Sequence, residues 1–324
     1  MGFFRIFLAL LCLACGPPEG GKRGDVFRVG LLTPGSIRDE GWNQSAYEGL
    51  ERVRAELGAE VAHQLTRTPQ QIEQGFRDFA AREFDLVFGH GFEFQDAAAK
   101  VGMEYPATVF ITTSGSTVRL NVAPIVFELE QATYVLGYVG ASISRLLRLA
   151  AVGGVEVPSV ASTFQAFEAG ARAARSRIPV SISYIGSWTD ASAAREATLA
   201  PIAEGADILI HNLNEAAHGF FQAVKESKGV LAFGMNRNQN ALAPENVLAS
   251  ATIDVPRAFL LVAREVKSGS FWPRSIRFGL RDGVIKIEWN EALRSRVPDK
   301  VKREAEDLVR RIEMGALQVP RAGF

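Results

Sequence analysis

Short apolar runs alternate with amphipathic stretches along most of the chain. Phe27–Thr33 (FRVGLLT) is a short apolar run ending in Pro34-Gly35, which predicts a buried strand and a loop. Ala46, Leu50, Val53 and Leu57 then fall on one face of a helix over Asn43–Leu57. Ala59–Gln64 predicts a second strand, and Thr68-Pro69 opens a second helix with proline at its first position. Asp85–Gly89 is a third strand, Phe94–Glu104 a helix and Thr108–Thr113 a fourth strand. The alternation restarts with a strand at Ala150–Gly153, a helix at Ser162–Arg175, a strand at Val180–Gly186 and a helix at Ser192–Glu204. Ile208–His211, a helix from Ala217, and Val230–Gly234 continue it. Two runs of strand–helix units predict an α/β protein of two lobes, each a parallel sheet covered by helices on both faces. Val122–Leu147 between the runs contains a helix that opens the second lobe. The last 75 residues (250–324) are too few for a third such unit and are expected to complete the first two. The expected division is 26–124 with about 250–283 for lobe 1, and 125–249 with about 284–324 for lobe 2. Several crossings between two lobes make a hinged cleft.

The start of the chain has a different pattern. Arg5, an apolar Ile6–Leu13 and then Ala14-Cys15-Gly16 follow the layout of an export signal, with residues 1–14 removed. GPPEGGKRG (16–24) suits a flexible linker, so 15–25 is expected to tether the lobes. A cysteine immediately after the cut resembles a bacterial lipoprotein signal, in which Cys15 is lipidated. Such signals prefer Leu three residues earlier, where Cys12 stands here. The expected location is the cell envelope, lipid-anchored and facing the periplasm or exterior.

Composition narrows the chemistry. Lys plus Arg and Asp plus Glu are 36 each, so no bulk field gathers nucleic acid. The chain's two cysteines both lie in the leader region, which excludes a disulfide framework, a cysteine nucleophile and a thiolate metal site from the lobes. His211-x-x-x-Glu215-x-x-His218 lacks the spacing of a helical metal motif. Gly89-x-Gly91 is a lone pair of glycines after the third strand, not the first. No nucleophile elbow or phosphate loop occurs. No catalytic residue, cofactor or metal is therefore assigned.

Open α/β sheets bind ligands beyond the carboxyl ends of their strands. Those ends carry Asp39, Trp42 and Asn43 after the first strand, His90, Gly91 and Phe92 after the third, and Ser114 after the fourth. In the second lobe they carry Trp188, then Asn212 to Gly219, then Asn236 to Asn240. A loop tryptophan commonly covers a local core. One on each side of a cleft suits two flat faces closing on a planar ring, worth about 1–3 kcal/mol each.

DEGWNQSAYEGL (39–50) resembles the start of the basic membrane protein family of solute-binding lipoproteins, the purine nucleoside receptor type. GHGFEFQDAAAKVGMEYP (89–106), NVAPIVFELEQATYVLGYVGA (121–141), YIGSWTDASAAREA (184–197), GADILIHN (205–212) and GMNRNQN (234–240) match that family in order and spacing. The resemblance implies a type I periplasmic-binding-protein fold, a monomer that hands a nucleoside or purine base to an ABC permease. It places Trp42 and Trp188 at the family's two stacking phenylalanines, Gly219 at a glycine close to ligand, and Asp39 at the second member of an acidic pair. Departures fall at polar positions. Arg38, Ser114, Asn236 and Asn238 stand where the family has carboxylates, and Ile253 where it has lysine. A neutral amide offers one acceptor and adds donors, so the clamp on a ribose is weaker. A secreted α/β enzyme acting on nucleosides, with Asp39 as its one candidate base, and a ligand sensor without transport are the alternatives.

Overall fold

The computed structural model describes residues 26–39 and 41–322. The expected signal segment (1–14), Cys15 and the expected linker lie outside them. The first lobe starts with β1 (Arg28–Thr33), an uninterrupted buried strand after its first residue, followed by α1 (Trp42–Leu57). β2 (Glu60–Leu65) leads into α2 (Pro69–Ala81), whose start follows from its sequence. Thr68 and Gln71 form a reciprocal capping box, and Pro69 occupies a position where no backbone N–H is needed. β3 (Leu86–Gly89), a single 3₁₀ turn over Phe92–Phe94, α3 (Gln95–Glu104), β4 (Val109–Thr113) and β5 (Val122–Phe127) follow.

The second lobe opens with α4 (Glu130–Ile143) and β6 (Leu149–Gly153). It continues through α5 (Pro158–Ala174), β7 (Val180–Tyr184), α6 (Ala191–Ala203), β8 (Ile208–Asn212) and α7 (Ala217–Glu226). β9 (Leu231–Asn236) and β10 (Val247–Ile253) come next. The chain then returns to the first lobe with α8 (Val255–Lys267), which packs on α1, and β11 (Ile276–Phe278). It ends in the second lobe with β12 (Ile285–Trp289) and α9 (Asp299–Glu313), which packs on α4.

The first sheet has the order β11-β5-β4-β3-β1-β2 and its described pairings are parallel. The second has the order β12-β10-β9-β8-β6-β7 and is parallel except for β12, which runs antiparallel to β10. This is the expected two-lobed α/β architecture, with one antiparallel edge that the strand–helix alternation does not announce. The chain changes lobe after β5, after β10 and between β11 and β12. These positions lie a few residues beyond the expected breaks at 124 and 250, each of which falls within a strand. The crossings are bonded to one another: Glu128 N donates to Phe278 O at 2.9 Å and Asp254 N to Val284 O at 2.7 Å. Leu280 N donates to Gln131 Oε1 at 2.9 Å.

In each lobe strand order reverses between the first strand and the third, at β1/β3 and at β6/β8. Connections leave in opposite directions there, opening a crevice beyond the strand ends.

Candidate ligand-binding site

A cavity of about 290 Å³ occupies the space where the two crevices face each other. Trp42 after β1, Gly91, Phe92 and Glu93 after β3, and Ser114 after β4 line its first-lobe side. Val155, Val157, Ser159, Val160 and Thr163 after β6, Trp188 after β7, Asn212 and Asn214 after β8, and Asn236 after β9 contribute from the second. Phe127, Leu129 and Ile253 reach it from the lobe crossings.

Each tryptophan is held by a specific backing. The Trp42 ring stacks on His90, with centroids 4.0 Å apart and planes at 22°, and meets Phe127 edge-on. His90 is fully buried; its Nε2 lies 3.1 Å from Trp42 O and its Nδ1 3.2 Å from Thr113 Oγ1. Burial pushes the His90 pKa down to about 3, so the ring under Trp42 is neutral at physiological pH. Trp188 packs closely against Gly154. A Cβ at that position would stand 2.3 Å from the indole Cε3, so only glycine leaves room for the ring. The sequence pattern puts His90 at a strand end without its role behind Trp42, and does not pick out Gly154.

Ser114 and Asn236 have φ of 63° and 68°, a backbone region that costs non-glycine residues energy. They occupy matching places, at the ends of β4 and β9, and both line the cavity. Strain held at equivalent points of two lobes marks a site whose geometry is overdetermined by its surroundings.

Three of the residues expected at the ligand have other roles. Asp39 is buried, and its carboxylate accepts from Gly41 N, Asn43 N, Asn43 Nδ2 and Gln44 N at 2.8–3.0 Å. It caps α1 and is spent on that, which also removes it as a general base. Asn43 is buried beside it as a donor to that cap. Gly219 lies at the contact of α6 and α7, where a Cβ would meet Ala191 O at 1.8 Å. Asn238 donates to Glu288 Oε2 at 2.7 Å and is absent from the lining.

His211 is buried against Phe220 and Phe221, with Nε2 3.0 Å from Gln239 Oε1, and burial brings its pKa down to about 4. Glu93 was not singled out from sequence, yet it is the one ionisable side chain in the lining among the described residues. Its carboxyl opens on the cavity but is crowded by loop atoms, and this desolvation raises its pKa above the usual carboxylate value.

A family profile described as ABC transporter substrate-binding protein, PnrA-like, matches residues 26–318. The chain belongs to this Bmp family. Basic membrane protein A2 of Borrelia garinii subsp. bavariensis is 26% identical over 97% of this chain and 94% of its own length. A solute-binding protein of an ABC transporter system from Aeropyrum pernix superposes with a TM-score of 0.83 at 19% identity, covering 91% of this chain and 94% of that one. One from Conexibacter woesei gives 0.74 at 26% identity, over 92% and 100%. Family membership makes this a substrate-binding chain, with a small-molecule ligand and a permease as the implied partners. No described helix is long and apolar enough to cross a membrane.

Proposed function

We propose that this protein carries a planar aromatic solute, a purine nucleoside or base, to an ABC importer. The observation that carries this reading is the paired placement of Trp42 and Trp188, one from each lobe, on a single interlobe cavity. A ring between them touches both lobes, so the closed form gains contacts that an open form lacks, and ligand binding favours closure. Six hydroxyl and amide residues of the lining (Ser114, Ser159, Thr163, Asn212, Asn214 and Asn236) supply hydrogen bonds to ring edges and substituents. The protein acts as a monomer in the cell envelope, tethered through lipidated Cys15, and the released solute passes to the permease.

A thermal-shift screen of nucleosides and free bases tests this. A ligand present at a hundred times its dissociation constant stabilises by about 2.7 kcal/mol. A screen in which no purine compound shifts the transition would contradict the proposal. Release of free base from a bound nucleoside would favour the enzymatic alternative instead.

A further inference from the structure

We infer that the solute's ring carries a positive charge and that Glu93 selects for it. This rests on the cavity being the solute site, and deepens that reading. Glu93 is the single ionisable side chain of the lining, and no ion pair or side-chain hydrogen bond among the described residues reaches its carboxylate. Other carboxylates near the lobe crossings are engaged: Glu128 with Arg277 and Arg321, Glu288 with Asn238 and Thr252. Glu93 therefore gives the cavity a negative charge that no cation among the described residues pairs with.

The same cavity is walled by four aromatic rings, Trp42, Phe92, Phe127 and Trp188. Aromatic faces carry negative quadrupole potential and attract cations, tryptophan most strongly. Carboxylate and ring faces thus favour the same sign of charge. Glu93 is solvent-accessible, yet crowding by loop atoms still disfavours its charged form and raises its proton affinity. A cation beside it removes that cost, whereas a neutral ring leaves it in place. A tryptophan from each lobe on the one cavity favours a flat cation over a branched ammonium group. The ligand class that satisfies all these features is a cationic heteroaromatic, such as a ring-N-alkylated purine.

Two isomeric probes isolate the charge. 1-Methyladenosine is cationic at neutral pH, and N6-methyladenosine is a neutral isomer of similar shape. Calorimetry of the intact protein should give at least about tenfold tighter binding of the cation, the scale of one charge-assisted contact. Glu93→Gln keeps the side chain's shape and should bring the two affinities together by weakening that of the cation. Equal affinities in the wild type would overturn the inference without touching the aromatic-solute reading, because the neutral isomer still reports on the sandwich. A preference that survives in Glu93→Gln would overturn Glu93's part in it. Failure of both isomers and of adenosine to bind would count against this inference and the underlying proposal together.

Discussion

Trp42 and Trp188 are half-buried because one part of each ring is packed on protein while the rest borders the cavity. Truncating either removes a stacking face without opening a closed core. Trp42→Ala and Trp188→Ala should each weaken solute binding by about 1–3 kcal/mol, with circular dichroism unchanged. Unfolding of either variant would assign that tryptophan to the core instead. Gly154→Ala should imitate Trp188→Ala, since the added methyl displaces the indole. Asn236→Asp should raise preference for nucleoside over free base by about 1 kcal/mol in calorimetry, because a carboxylate is the stronger acceptor of a sugar hydroxyl. An equal change for both ligands would place Asn236 away from the sugar. Titration of buried groups adds a pH dependence with two opposed signs. His90 and His211, at about 3 and 4, stay neutral when folded but protonate near 6.5 when unfolded. Each therefore costs stability as pH falls below 6.5, by up to about 1.4 kcal/mol per pH unit. Glu130, pushed up to about 7 chiefly by burial, binds its proton in the folded state first and stabilises as pH falls from about 7 toward 4.5. Denaturation of Glu130→Gln between pH 7 and 5 should thus show a steeper acid loss than the wild type. A parallel pair of curves would remove Glu130 from this balance.

At the scale of elements, α1 links the site to the fold. Its N-terminus is organised by the four hydrogen bonds to Asp39, and Trp42 is its first residue. Asp39→Ala should therefore destabilise the protein by about 1–3 kcal/mol and also weaken binding, unlike Trp42→Ala, which acts on binding alone. Unchanged thermal stability in Asp39→Ala would contradict the capping role. Gly219→Ala should show the converse pattern, since its methyl meets the α6 backbone and not the solute: stability falls by about 1–3 kcal/mol while the affinity of the folded fraction stays. These contrasts show what the chain discloses. Strand–turn–helix units such as β1–α1 and β2–α2 were legible because uninterrupted apolar runs and a capping box act locally. β5 was hidden by Pro124 inside its run and by the apolar helix that follows, both of which blur a strand signal. β11, β12 and α9 depend on partners far away in sequence, so the form of the last 75 residues was not legible. At the site, loop aromatics could be read from strand-end position. Whether Asp39 served a ligand or a helix could not, because the spacing of an acid before a helix suits both. His90 and Gly154 act by packing behind the tryptophans, a role that leaves no chemical signature in sequence.

Over the whole molecule, the three bonded crossings leave the lobes free to move mainly as units, with the cavity between them. An ion pair away from the crossings also spans the lobes: Arg237 after β9 reaches Glu48 on α1, 3.1 Å between Nη1 and Oε1. Both side chains are partly exposed, so the pair contributes no more than about 1 kcal/mol. Arg237→Ala should reduce solute affinity within that bound and expand the unliganded molecule in small-angle scattering. An unchanged scattering profile and affinity would show that the pair has no part in closure. The central claim is that one flat solute is held between Trp42 and Trp188. Calorimetric titration of wild type and the Trp42→Ala/Trp188→Ala double variant with a panel of purine nucleosides, bases and their ring-methylated cations tests it most directly. One-to-one binding of at least one of these compounds to the wild type is expected, with loss of that binding in a double variant that remains folded. A folded wild type that binds none of them, or a double variant that binds as tightly as the wild type, would contradict it.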